Sequence, residues 1–202
     1  MVDNTLSCPG TPFYWKIGYR IQDTEDILPS NDWSRNIHLK GPFTWNMIQL
    51  NFCNKVNYYE DENEYVFPAG EYCVYKKGAT CPPGLNEGHV VWDDEELLNS
   101  NEVHGEVPEG VYDKDTLIYF CCRDDGSYTT PIDLPTDDPF YLFQKNKDGC
   151  QQVNGMKLAE EWFHWDGEDD LFKPPNFFFG STPHNFGRDN DHKLGFCYYY
   201  TA

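Results

Sequence analysis

Two short stretches combine indole rings with carboxylates, which are the side chains that protein surfaces use to recognise sugars. Trp92 is followed by two aspartates, and Trp162-Phe-His-Trp165 is followed by another. Sugar rings present apolar C–H faces that pack on aromatic rings, while carboxylates accept hydrogen bonds from hydroxyl groups. The stretches therefore indicate a ligand-binding surface formed by Trp92, Asp93, Asp94, Trp162, Trp165 and Asp166. Each single tryptophan could instead be a core residue, and that alternative stays open.

Acidic residues recur in clusters, and two of these clusters could ligate calcium. Residues 166–170 bring four carboxylates into five positions, and Asp189-Asn-Asp191 begins like a calcium loop but lacks the later bidentate Glu of an EF-hand. Calcium takes about six to eight oxygen ligands, which carboxylates on tight loops can supply. The candidate calcium ligands are Asp166, Glu168, Asp169, Asp189 and Asp191. The alternative is a solvated acidic surface, which is what charge runs usually form.

Catalytic motifs are absent from the sequence. The six histidines form no H-E-x-x-H pair, and no G-x-S-x-G elbow, Walker loop or dinucleotide fingerprint occurs. Paired carboxylates could hydrolyse a glycosidic bond, and Glu161 with Asp166 is the candidate pair. With 34 acidic residues in 202, however, such pairs arise by chance. We therefore expect no enzymatic activity and assign no catalytic residue, and a secreted glycan hydrolase remains an alternative.

Eight cysteines indicate a disulfide framework and hence an extracellular, oxidising setting. None forms the C-x-x-C pair that a zinc site or a thioredoxin-like motif needs. Cys121 and Cys122 are adjacent in a β-branched and aromatic run, so they should point to opposite faces of a strand and bond different partners. That strand should then be stapled on both faces and lie centrally in its sheet. The other pairings stay open for Cys8, Cys53, Cys73, Cys81, Cys150 and Cys197.

The overall charge and hydropathy exclude two classes of partner. The formal net charge is −19, so the protein's own field opposes contact with nucleic acid phosphates. No apolar run approaches the roughly 18 residues that span a bilayer. Residues 1–7 lack the basic start and apolar stretch of a signal peptide. We interpret them as a start or linker remnant of a protein whose export signal has been removed or whose upstream region has been cut away.

The remaining pattern predicts a single, mainly β domain over residues 8–202, sandwich-like, disulfide-stapled and carrying one or two short helices. Short runs rich in Tyr, Phe, Val and Ile predict strands at Phe13–Ile21, Thr44–Cys53, Glu71–Lys76, Gly88–Trp92, Thr116–Cys122, Phe140–Gln144 and Leu194–Tyr200. Capping residues and helical spacing predict helices at Asp93–Leu98 and Gly155–Phe163. Phe67-Pro-Ala-Gly-Glu-Tyr72 is echoed by Val107-Pro-Glu-Gly-Val-Tyr112, which predicts two similar hairpins.

Several of these stretches together resemble the apextrin C-terminal domain, called ApeC. The matching segments are 18–26, 36–41, 70–78 with Cys81-Pro82, 91–95, 108–112, 121–126, 131–135 with 139–142, 150–156 and 161–163. The eight cysteines also agree with the family pattern, and the resemblance extends from Cys8 to the final tyrosine-rich strand.

The resemblance implies a secreted animal protein linked to innate immunity and to recognition of bacterial cell-wall material, including peptidoglycan and muramyl peptides. It also implies that the domain can follow other extracellular modules, such as a membrane-attack-complex/perforin domain. It supplies no catalytic residues. We therefore expect an extracellular pattern-recognition module that binds cell-wall glycan or glycopeptide, with calcium as a candidate cofactor. An adhesion, extracellular-matrix or partner-docking domain is the alternative.

Overall fold

Strands make up the regular structure of this protein. The computed structural model describes residues 8, 14–24, 30–56, 66–94, 99–167, 177–187 and 191–201. Within those residues there are twelve strands and no helix. The strands are β1 (Tyr14–Asp23), β2 (Asp32–Trp33), β3 (Met47–Val56), β4 (Glu71–Tyr75), β5 (Asn86–Trp92), β6 (Glu102–Gly105), β7 (Gly110–Tyr112), β8 (Thr116–Asp124), β9 (Phe140–Gln144), β10 (Lys157–Trp165), β11 (Phe177–Gly180) and β12 (His192–Tyr200).

The strands form two antiparallel sheets. The larger sheet has nine strands, in the order β11-β5-β8-β4-β9-β12-β10-β2, and β7 also pairs with β8. The smaller sheet has the order β3-β1-β6. Inward-facing side chains of β3, including Leu50 and Phe52, join those of the larger sheet, including Phe120, Phe163 and Phe196, in one buried cluster. This packing of sheet on sheet confirms the predicted mainly β, sandwich-like fold.

The outer face of the larger sheet is covered in its middle and open at one end. Ile132 and Val153, from the loops on either side of β9, pack over Tyr72 and Tyr199 in a second buried cluster. The Tyr199 hydroxyl donates to the Gln151 carbonyl oxygen at 2.6 Å, so polar as well as apolar contacts hold these loops down. The end formed by β11, β5 and β8 has no such cover among the described residues.

All eight cysteines are paired. The disulfides are Cys8–Cys53, Cys73–Cys122, Cys81–Cys121 and Cys150–Cys197. The prediction for Cys121 and Cys122 is confirmed, because they bond different partners and point to opposite faces of β8. Cys122 belongs to the buried cluster between the sheets, while Cys121 projects from the outer face. Strands flank β8 on both sides, which confirms its central position.

The helix predicted at Gly155–Phe163 is wrong. This segment enters β10, which pairs with β12 along its whole length and with β2 near its end. Glu161, Phe163 and Trp165 are buried while Trp162 and His164 are partly exposed, which is the two-residue period of a strand. The helical spacing was coincidental, and pairing with distant β12 decided the structure. Of the other predicted helix, residues 95–98 lie outside the described residues.

The echoed Pro-x-Gly-x-Tyr segments share one local bond, but the prediction of two similar hairpins is wrong, because β7 forms a hairpin with β8 whereas β4 pairs with β8 and β9. The Tyr72 hydroxyl donates to the Pro68 carbonyl oxygen at 2.7 Å, and the Tyr112 hydroxyl donates to the Pro108 carbonyl oxygen at 2.9 Å. Each bond closes the turn that leads into a strand. The sequence echo therefore reflects a repeated local bond.

Candidate functional site

Trp92 and Trp165 lie between the two sheets. Each is 2 % exposed, and their ring centroids are 5.7 Å apart. Trp92 also contacts the ring of His192, and Trp165 contacts Phe163. In this conformation neither indole presents a ring face to solvent, so their predicted part in ligand binding stays a prediction.

Asp94 is the centre of a buried polar network that links the two sheets. Its carboxylate pairs with Arg20 of β1 at 3.3 Å and accepts a hydrogen bond from Gln22 at 2.6 Å. From the larger sheet the Thr116 hydroxyl donates to the same carboxylate. The side-chain amide of Asn101, directly before β6, donates a further bond at 2.9 Å. Burial raises the pKa of Asp94 to about 6, although the charge of Arg20 opposes the rise. With this many donors around it, the carboxylate stabilises the sandwich.

Asp93 is also buried, at 7 % exposure. The structure therefore places all three members of the Trp92-Asp93-Asp94 stretch inside the protein. They are brought together, but they do not form an exposed surface.

Trp162 and His164 point away from the core, on the outer face of β10. The Nζ atom of Lys193, from the neighbouring strand β12, lies 3.5 Å from the centroid of the Trp162 ring. This cation–π contact covers one face of the indole and leaves the residue partly exposed. Trp162 is thus separated from Trp165 by the thickness of the sheet.

Two of the predicted calcium ligands, Asp166 and Asp191, come together beyond the ends of β10 and β12. Burial raises the pKa of Asp166, and a shared hydrogen bond with Asp191 adds to the rise. Burial tends to raise the pKa of Asp191, but the hydrogen bond and charge of His164 outweigh this effect and lower the pKa. His164 Nε2 lies 3.4 Å from the Asp191 carboxylate, and the Ser30 backbone N–H donates to Asp166.

The other predicted calcium ligands, Glu168, Asp169 and Asp189, lie outside the described residues. Within the ranges that the structure describes, no three histidine, cysteine or acidic side chains are arranged to hold a metal ion. Calcium binding at this corner therefore stays a prediction.

Glu161, one of the candidate carboxylate pair, is buried and contacts a loop. Its carboxylate accepts a hydrogen bond from the His38 backbone N–H at 3.1 Å and contacts Nδ1 of the same residue. The His38 ring stacks on Tyr198, with centroids 4.2 Å apart. These contacts hold the loop before β3 against β10. Among the described residues, Asp166 contacts Ser30 and Asp191, neither of which contacts Glu161.

An exposed aromatic surface occurs at the open end of the larger sheet, where the sequence analysis placed no site. We call it the aromatic platform and define it as His89, Tyr119, Phe177 and Phe179. Phe179 stacks on His89 with centroids 5.3 Å apart, and Tyr119 and Phe177 lie 5.4 and 6.0 Å from the same ring. Phe179 is 67 % exposed and Phe177 is 42 % exposed. Four rings from three adjacent strands thus form one continuous surface.

Strand pairing explains why these rings share a face. His89 pairs with Tyr119 on β8 and with Phe179 on β11, and directly paired residues project on the same side of a sheet. Phe178, between the two exposed phenylalanines, points inward and contacts His192 at 4.4 Å between centroids. The Phe177-Phe178-Phe179 run is visible in the sequence, but its four-residue strand carries no signal that tells which face is covered.

The family model for the C-terminal domain of apextrin, ApeC, matches residues 3–199. The chain belongs to the ApeC family. Searches with the chain found no matching curated protein and no matching solved structure. Membership over nearly the whole chain confirms the resemblance inferred from the motifs.

The four disulfides and the ApeC assignment are consistent with an extracellular protein. In the described part of this ApeC domain, no helix is long and apolar enough to cross a membrane. Among the described residues, the aromatic platform is the exposed surface on which several rings adjoin, whereas Asp166 is buried at 7 % exposure beside Asp191.

Proposed function

We propose that this ApeC domain is a secreted recognition module that binds bacterial cell-wall glycan or glycopeptide through the aromatic platform, without converting it chemically. The observation that carries the proposal is the exposure of Phe177 and Phe179 beside His89 and Tyr119. Exposed aromatic rings in one surface are suited to the apolar faces of sugar rings.

Polar groups at the border of the platform could fix the orientation of a bound glycan. Glu87 lies two residues before His89 on the same face of β5, and its carboxylate pairs with Lys76 at 2.5 Å. The Lys76 ammonium also lies 5.0 Å from the centroid of the Tyr119 ring. Hydroxyl and amide groups of a glycopeptide can hydrogen-bond to the exposed Glu87 carboxylate while the sugar rings stack on the phenylalanines.

The size of the platform favours a small ligand over a protein partner. At 42 % and 67 % exposure, Phe177 and Phe179 together offer about 200 Å² of surface, since a whole aromatic side chain offers roughly 150–250 Å². A stable protein–protein interface buries about 800 Å² on each partner. A sugar ring with its substituents matches the smaller value.

The disulfides keep the platform in place before a ligand arrives. Cys121 lies two residues after Tyr119 on the same outer face and is bonded to Cys81. Cys73–Cys122 joins β4 to β8 on the opposite face. A surface that is ordered in advance loses less entropy on binding, so affinity is higher for the same contacts.

The test is co-sedimentation of the purified domain with washed peptidoglycan sacculi, followed by calorimetry with a soluble muramyl peptide. We expect Phe179→Ala to weaken binding roughly 10- to 100-fold, because burying a phenylalanine contributes about 1.5–3 kcal/mol. Trp45→Ala is the matched control, since Trp45 is an aromatic residue of similar exposure, 69 %, on the loop before β3.

The same samples separate the alternatives. Failure of the wild-type domain to sediment with sacculi would refute the proposal and favour an adhesion or docking domain. Equal losses for Phe179→Ala and Trp45→Ala would remove the platform as the binding site. Release of soluble sugar fragments from the sacculi would show a hydrolase instead.

A further inference from the structure

Three buried polar atoms at the inner face of the larger sheet have no hydrogen-bond partner among the residues that the structure describes. They are Nε1 of Trp92, Nε1 of Trp165 and Nδ1 of His192. The three side chains are 1–2 % exposed, and their rings are neighbours: Trp92 lies 5.7 Å from Trp165 and 5.3 Å from His192 between centroids. Buried polar atoms are nearly always hydrogen-bonded, so three unpartnered atoms on adjacent rings point to a bound ligand.

The hydrogen-bonding role of each atom follows from its chemistry. An indole Nε1 carries a hydrogen and can only donate, so Trp92 and Trp165 supply two donors. His192 Nε2 lies 2.9 Å from the Val91 carbonyl oxygen, which can only accept, so Nε2 must carry a hydrogen. Burial lowers the pKa of His192 to about 4, which keeps its ring neutral at neutral pH. A neutral imidazole carries only one hydrogen, so Nδ1 is then an acceptor.

We propose that Trp92, Trp165 and His192 form an internal water-binding site. One water oxygen can accept from both indole N–H groups while one of its hydrogens is donated to His192 Nδ1. The resulting three bonds equal the number that buried waters typically make, about three. A cation would face two N–H donors, and an anion would face the bare Nδ1 lone pair. A neutral molecule that both donates and accepts is the ligand that matches all three atoms.

The site lies directly under the strand that carries the platform. Phe178 of β11 packs edge-on against the His192 ring, and its neighbours Phe177 and Phe179 are the exposed rings. A bound water that holds His192 in its orientation therefore supports β11 from inside. The water site itself is independent of whether the platform binds a glycan.

The test is nuclear magnetic resonance of the ¹⁵N-labelled, disulfide-intact domain, with the tryptophan indole signals assigned by through-bond experiments. We expect water cross-peaks at the Nε1–H protons of both Trp92 and Trp165, with the sign pattern of a long-lived bound water. Trp45, which is exposed, is the internal control and should show the pattern of bulk water. Absence of the bound-water pattern at either buried indole overturns the proposal, and this result needs no variant.

A pair of variants tests whether the two indoles share the water. Trp92→Phe and Trp165→Phe each remove one donor and keep an aromatic ring. We expect each change to weaken or abolish the bound-water cross-peak at the remaining indole. A cross-peak of unchanged intensity at the remaining indole overturns the shared site. Trp45→Phe, made in the same way, should leave both buried signals unaltered.

Discussion

Two aromatic clusters of this ApeC domain lie on opposite faces of the same sheet. Strand β5 contributes to both, because Trp92 points inward to the Trp92–Trp165 pair and His89 points outward to the aromatic platform. The inner pair is 2 % exposed, whereas Phe179 is 67 % exposed. Residues of the same class therefore stabilise the core on one side and are available for contact on the other. Residue type alone does not distinguish the two roles.

The two faces also differ in their charged groups. Inside, the ion pair of Asp94 with Arg20 is buried, and both partners have further contacts. Outside, the Glu87 side chain is 46 % exposed, although its partner Lys76 is only 7 % exposed. A fully buried pair is costly to break because the remaining charge loses its partner, while a pair with an exposed carboxylate stays in contact with water. The inner network should therefore control folding, and the outer pair should influence binding.

The largest expected effect is a difference in stability between variants of the inner and the outer aromatic cluster. Trp165→Ala should lower the free energy of unfolding by about 3–5 kcal/mol, because it leaves a cavity between the sheets. Phe179→Ala should change it by less than about 1 kcal/mol, because that ring lies at the surface. Urea unfolding monitored by circular dichroism measures both values. Similar losses for the two variants would contradict the distinction between core and surface.

A loss of about 3 kcal/mol or more is expected for Asp94→Ala, since it leaves the Arg20 guanidinium buried without its carboxylate. Asp94→Asn should cost less, because an amide oxygen still accepts hydrogen bonds. Glu102→Ala, at an exposed site on β6, is the control and should change stability by about 0.5 kcal/mol or less. If Asp94→Ala is as stable as Glu102→Ala, the network does not join the sheets.

The pH dependence of stability should report on His192 in the core. Its pKa is about 4 in the folded protein and 6.5 in the reference state, so the unfolded chain binds a proton first as the pH falls. Stability contributed by neutral His192 is present above pH 6.5 and should be lost between about pH 6.5 and 4, by about 3 kcal/mol in total. Asp94 has a raised pKa of about 6 in the folded protein, so its protonation stabilises the folded state as the pH falls below 6 and partly offsets the loss from His192.

The contribution of His192 to the pH dependence is the difference between the wild type and a variant without this imidazole. Urea midpoints of the wild type and of His192→Phe are measured from pH 7.5 to pH 4. The variant should lose less stability on acidification than the wild type does. Parallel curves for the two proteins would mean that other groups produce the acid sensitivity.

The smallest effect is expected for Lys193→Ala, which removes the cation from the Trp162 ring. Stability should fall by about 0.5–1 kcal/mol, the usual contribution of such a contact at a partly exposed site. The change also uncovers one face of Trp162, so its fluorescence should become more accessible to iodide. If the variant binds muramyl peptide more tightly than the wild type, Trp162 is a second binding residue beside the platform.

Much of the fold could be predicted from the sequence because strand signals are local. Phe140–Gln144 was predicted with its observed bounds, and Glu71–Lys76 differs by one residue. The short strands β2, β6, β7 and β11 were missed, since two to four residues are too few for a two-residue period to be recognised. The prediction of a helix at β10 failed for another reason. The apolar residues of this segment have helical spacing, but pairing with β12 makes it a strand.

The candidate site was predicted less well than the fold. The Trp92 and Trp162 stretches were identified from composition, yet Trp92, Trp165 and Asp94 are buried. Asp166 and Asp191, which are 25 residues apart in the sequence, were assigned to the same kind of site and do lie together. The platform was missed because His89, Tyr119 and Phe179 become neighbours only when three strands align in register.

By itself, the sequence determined the features that depend on near neighbours in the chain. The alternation of a strand sends Cys121 and Cys122 to opposite faces, and a tyrosine four residues after a proline can close its own turn. Only the tertiary structure decided which face of each strand is covered. Coverage depends on packing with elements from elsewhere in the chain, such as the smaller sheet over Trp92 and the loops beside β9 over Tyr199. The open end at Phe179 is what those elements leave uncovered.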